Sequence, residues 1–118
     1  MSYDINLCDP VTMEVLELDT PHQMIGGTYA VGGTTQCSLN ITYNYSKIYY
    51  NVLGEGGIRS IYGISGADSI PILQGAINKL KNDASNNYWE PTEGNAKRAL
   101  LQLIALAKLR PDGIWKGD

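Results

Sequence analysis

The first apolar–polar alternation in the chain, Tyr3-Asp4-Ile5-Asn6-Leu7-Cys8, has the two-residue period of a half-buried strand, and Asp9-Pro10 ends it with a turn signal. Met13-Glu14-Val15-Leu16-Glu17-Leu18 predicts a second short strand, stopped by Asp19-Thr20-Pro21. The two form a hairpin whose loop runs from Asp9 to Thr12. Glycine pairs at 26–27 and 32–33 bracket Thr28-Tyr29-Ala30-Val31, which reads as a short strand between tight bends. Cys37 to Tyr45 is the best strand pattern. Its alternation places Leu39, Ile41, Tyr43 and Tyr45 on one face and Asn40, Thr42 and Asn44 on the other.

Beyond Tyr45 the period becomes helical. Ser46 is the expected N-cap of a short helix through Leu53, with Gly54 placed to end it. A glycine-rich loop at 54–57 leads into Ile58–Ile61, a brief strand or extended connector. Ser65-Gly66-Ala67-Asp68 has the form of a capping box with Asp in the Glu position. It opens a helix with Ile70, Leu73, Ile77 and Leu80 on one face, and Pro71 is tolerated because it falls in the first turns. Residues 81–87 are a polar linker. In the last helix Pro91 precedes, Thr92 caps, and Ala96, Ala99, Leu100, Leu103, Ile104 and Ala107 form the apolar stripe. Leu101 and Leu109 widen that stripe, which implies burial on more than one side. Pro111-Asp112-Gly113 stops the helix, and Ile114-Trp115 pack back on the fold.

Strands first and helices afterwards predict an α+β fold. A small, mainly antiparallel sheet from the N-terminal half is packed by two or three helices from the C-terminal half. With 118 residues, 43% hydrophobic and 18% charged, the chain reads as a single domain over 1–118 with one core. Phe is absent, so eight Tyr and two Trp carry the aromatic load, which favours an interior that meets a polar pocket or an interface.

Charge and residue counts remove several classes of chemistry. A net charge of −3 argues against duplex nucleic acid as a partner. Cys8 and Cys37 have no metal-ligand spacing and read as reduced, buried thiols. The start Met1-Ser2-Tyr3-Asp4 lacks the basic and apolar regions of a signal peptide, and the apolar-rich stretch 99–109 is too short to span a bilayer. A cytoplasmic protein with no membrane partner is therefore expected. His22 is the single histidine, which excludes a His-based metal cluster within one chain, and no C-x-x-C replaces it. Tyr62-Gly63-Ile64-Ser65-Gly66 misses the frame of a nucleophile elbow. The acids fit strand or helix-start roles, and neither a P-loop nor a dinucleotide fingerprint occurs. No catalytic residue, metal ligand or cofactor is assigned.

Two polar-aromatic motifs remain: Thr42-Tyr43-Asn44-Tyr45 and Thr92-Glu93-Gly94-Asn95. The first offers small amides and hydroxyls to a polar ligand, with Tyr49 or Tyr50 available to stack on a base or sugar. The second opens a helix whose first N–H groups, followed by Lys97 and Arg98, suit an anion such as a phosphate. The candidate ligand-binding set is Asn40, Thr42, Asn44, Tyr45, Arg59, Thr92, Gly94, Asn95 and Arg98.

The runs Gly26-Gly27-Thr28-Tyr29, Asn40-Ile41-Thr42-Tyr43-Asn44-Tyr45, and Thr92-Glu93-Gly94-Asn95-Ala96 through Pro111-Asp112-Gly113-Ile114-Trp115 cover most of the chain. In these it resembles a family of small uncharacterised proteins of bacteria and their phages or prophages. The resemblance implies an accessory protein of mobile elements, a homo-oligomer acting in the host cytoplasm. The two polar motifs and the missing catalytic set point, in that context, to a non-enzymatic binder that sequesters a nucleotide-like signal or blocks a host protein, as a counter-defence factor does. Two other classes fit the same residues: a small histidine-independent hydrolase or transferase, and a structural or assembly module.

Overall fold

A computed structural model describes residues 2–23 and 33–118 of the chain. The GGTY motif and the strand expected at 28–31 lie outside the described residues. Strand β1 (Ser2–Cys8) is central in a three-stranded antiparallel sheet, between β4 (Ser38–Thr42) and β5 (Ile114–Gly117). Tyr3 faces Ile41, Ile5 faces Leu39 and Leu7 faces Trp115, so the apolar positions of three strands share one face. All six are buried, and helices α1 (Ser46–Leu53), α2 (Gly66–Ile77) and α3 (Glu93–Leu109) complete the layer over that face. The fold is α+β, with a mainly antiparallel sheet and three helices, mostly C-terminal.

The expected hairpin is reduced to a tight turn and a single bridge, Cys8–Val15, with no strand over 13–16; in the turn Asp9 accepts from the N–H groups of Val11 and Thr12 at 2.8 and 3.0 Å. These bonds, Thr12's first, hold the Asp9 carboxyl below the usual carboxylate range. The chain then leaves the main sheet. Leu16 donates to Leu7, Cys37 donates to Leu16, and Leu7 donates to Cys37, each at 2.9 Å. From that junction β2 (Glu17–His22) and β3 (Thr34–Gln36) branch off as a separate two-stranded ribbon. Asp19-Thr20-Pro21 therefore does not end a strand but lies within β2. A proline is acceptable there because a two-stranded ribbon leaves strand edges on which its missing N–H is not needed.

Three further differences have local causes. The strand expected to reach Tyr45 stops at Thr42, and Tyr43–Tyr45 form one 3₁₀ turn. Thr42 is buried and its hydroxyl accepts from Asn44 N at 3.2 Å, a capping bond that outcompetes strand continuation. Thr42, expected on the polar face, is thus an exception in burial, whereas Tyr43, Asn44 and Tyr45 keep the expected order of partly buried, exposed and buried. Residues Gly57–Ile61 likewise form a 3₁₀ helix, not an extended segment. Ile114-Trp115, expected only to pack back, enter the sheet as β5. There Trp115 is fully buried, and its indole N–H donates to Ser69 Oγ at 2.7 Å.

The helices follow their punctuation. Ser65 Oγ accepts from Asp68 N at 3.0 Å at the start of α2. Thr92 Oγ1 accepts from Asn95 N at 3.0 Å at the start of α3. Gly54 ends α1 at φ 90°, a conformation that costs glycine nothing. Ser46 begins α1 but does not cap it; its hydroxyl donates to Tyr43 O at 2.6 Å.

Candidate functional site

The sequence-predicted motifs come together through a third segment. Residues 81–92 link α2 to α3 without regular structure. Such a segment exposes many backbone groups, and here the side chains of both motifs satisfy them. From the first motif, Asn44 Nδ2 donates to Trp89 O at 2.7 Å and the Tyr45 hydroxyl donates to Tyr88 O. From the second, Asn95 reaches the same loop. Its Oδ1 accepts from Ser85 N at 3.0 Å and from Arg98 Nη2 at 2.8 Å. Its Nδ2 donates to Asn87 O and Glu90 O, both at 3.0 Å.

Asn95 is 1% exposed, so those partners account for the whole hydrogen-bonding capacity of a buried amide: two donors and two lone pairs. Only an amide can do this, because the loop presents two carbonyls on one side and an N–H on the other. Gly94 serves the same loop by being small. A Cβ there would overlap Ala84 N and stand 2.7 Å from the Asp83 carbonyl carbon. The Asp83 carboxylate accepts from Gly94 N at 3.0 Å, so the chain's own anion occupies the N–H that was expected to meet a phosphate. Glu93 turns back to accept from Lys81 N at 3.1 Å. Arg98 lies with its guanidinium carbon 4.9 Å from the centre of the Tyr88 ring.

Seven of the nine candidates, Thr42, Asn44, Tyr45, Thr92, Gly94, Asn95 and Arg98, therefore surround one loop, either touching it or capping the turns that do. The other two lie elsewhere. Asn40 is on the outer face of the sheet, where its amide donates to Ser2 Oγ at 2.8 Å and to Asp4 Oδ1. Arg59 stacks over Tyr3 at 4.9 Å and Tyr43 at 5.7 Å and donates to Asp118 O at 2.7 Å. The Tyr62 hydroxyl beside that cluster is pushed up to about 12 by burial, with the Asp118 carboxylate adding to it. Tyr49, considered for stacking, is fully buried and donates to Ala96 O at 3.0 Å, and burial raises its hydroxyl well above its ordinary range. Tyr50 is exposed and its ring covers Gly57.

Pattern reading passed over the residues that the clamp presents to solvent. Tyr88 is 38% and Trp89 48% exposed, at the outer turn of the loop. The available signal was an aromatic pair at the end of an Asn- and Ser-rich stretch, with no apolar periodicity to draw it into a core. Among the described residues, no group of three His, Cys, Asp or Glu side chains is placed to hold a metal ion, and no helix is long and apolar enough to cross a membrane. Both thiols are buried, which raises Cys8 and Cys37 and keeps them protonated. No family model, curated protein or solved structure matches the chain.

Proposed function

We infer that the chain is a small non-enzymatic binding protein of phage or prophage type, and that it blocks a host protein through the loop at 83–90. One observation carries this reading: side chains from two distant parts of the sequence fasten an irregular loop whose Tyr88 and Trp89 stand in solvent. Trp, Tyr and Arg dominate the energetics of protein interfaces. A loop ordered before binding loses little conformational entropy when it docks. The nucleotide-sequestering version has less support, since the amide of Asn95 and the N–H of Gly94 are already engaged within the chain.

The test is a photo-crosslinking residue placed at Trp89 and, as a control, at exposed Glu55, in the host cytoplasm. A discrete adduct from position 89 that is absent from position 55 supports the reading. An adduct of twice the chain's mass assigns the loop to self-association. Matching patterns from both positions refute a loop-centred interface. Calorimetry against a nucleotide panel separates the remaining version, and saturable heat there would replace the protein partner by a small molecule.

A further inference from the structure

A second feature lies at the opposite end of α3. Strand β2 pairs with β3 at Glu17–Gln36 and at His22–Thr34, and the register slips between those pairs. Pro21 lies in the slipped stretch and has no N–H for a ladder. Between this stretch and the last turn of α3 is a cleft of about 300 Å³, lined by residues 17–22 together with Leu109 and Arg110. Its volume is at the lower end for small-ligand sites. Leu18, Pro21 and Leu109 supply the apolar surface, and Leu109 is 57% exposed although the helical stripe predicted its burial. A single exposed leucine needs no explanation. One that walls a cavity beside an irregular strand is a different case.

Charge on the rim selects the occupant. The Arg110 guanidinium is matched within the chain: it holds the Asp112 carboxylate at 2.9 and 3.1 Å and donates to Glu17 O at 3.1 Å. Glu17 and Asp19 are both exposed, and they leave the rim negative.

We propose that this cleft binds a short extended peptide in which an aliphatic side chain is followed by a lysine or arginine. The aliphatic group enters between Leu18, Pro21 and Leu109, and the cation meets Asp19 and Glu17. The site is separate from the aromatic loop. Fourteen helical steps separate Asn95 from Leu109, about 20 Å at the rise of an α-helix.

Backbone-amide NMR of the full chain tests this with three probes: N-acetyl-leucyl-arginine amide, its leucyl-glutamate counterpart and its glycyl-arginine counterpart. The leucyl-arginine probe should give saturable shifts at Leu18, Thr20, His22, Leu109 and Arg110, with a dissociation constant of about 1 mM, and leave 85–89 unmoved. The other two should bind about tenfold more weakly or worse, from loss of charge attraction or of apolar burial. Asp19→Asn should weaken the first probe about threefold, and the exposed Leu109→Lys should abolish its binding while the spectrum stays dispersed. Equal affinity for the arginine and glutamate probes, shifts centred outside the cleft, or no saturable shift up to about 10 mM would each overturn the proposal.

Discussion

Replacing Asn95 by alanine removes the centre of the loop clamp. The substitution deletes four side-chain hydrogen bonds and strands Ser85 N, while Asn87 O and Glu90 O keep the bonds they accept from Glu90 N and Thr92 N. A typical intramolecular bond contributes about 0.5–1.5 kcal/mol net, so the four sum to about 4 kcal/mol. Water reaches part of an exposed loop and recovers some of this, which leaves about 3 kcal/mol. Denaturation by urea followed through tryptophan emission, with buried Trp115 as a reporter of unfolding, should show a midpoint lower by about 1.5–2 M, given an m-value of about 1.5–2 kcal/mol per molar for a domain of this size. Asn95→Asp is the sharper variant. It keeps the acceptor that faces Ser85 N and Arg98, but it turns an oxygen toward the carbonyls of Asn87 and Glu90 in a site that is 1% exposed. It should therefore cost at least as much as alanine despite its nearly identical shape. An alanine cost below about 1 kcal/mol, or aspartate as the milder change, would show that Asn95 does not hold the loop.

Gly94→Ala should destabilise by about 2 kcal/mol or more, because its Cβ meets the backbone of Asp83 and Ala84, whereas Gly75→Ala in α2, with open space around it, should stabilise by about 0.5–1 kcal/mol. Chemical denaturation of the pair separates close packing from helix propensity. Alkaline stability tests the Tyr62 environment. Its proton is held by folded and unfolded chains alike below pH 10, but between 10 and about 12 only the unfolded chain releases it, so stability should fall as pH rises through that window. Tyr62→Phe should flatten the fall, and an unchanged slope would remove Tyr62 from the account. Finally, Cys8 and Cys37 should react with an aromatic disulfide only as fast as the protein opens, since burial keeps both as thiols. Prompt labelling of either in the native state would contradict that burial.

Local chemistry made much of the fold legible. Period-two alternation located β1 and the start of β4, and Ser65, Thr92 and Gly54 marked helix ends that the structure reproduces. Each of these signals acts over a few residues and needs no distant partner. What failed depended on long-range competition. Cys37, Leu16 and Leu7 exchange backbone bonds at one junction, and that junction diverts β2 and β3 into a separate ribbon. Trp115 becomes a strand residue because β1 has an open edge beside it, which no local pattern at 114–117 announces.

The motifs show the same division. Their polarity and their places, at the end of a strand and at the start of a helix, were readable from residue type alone. What those groups bond to was decided by the fold, which brings positions 44–45 and 94–98 against the loop at 83–90. A buried amide takes whichever donors and acceptors surround it. For Asn95 these are the chain's own backbone, and the side chains left facing solvent are Tyr88 and Trp89.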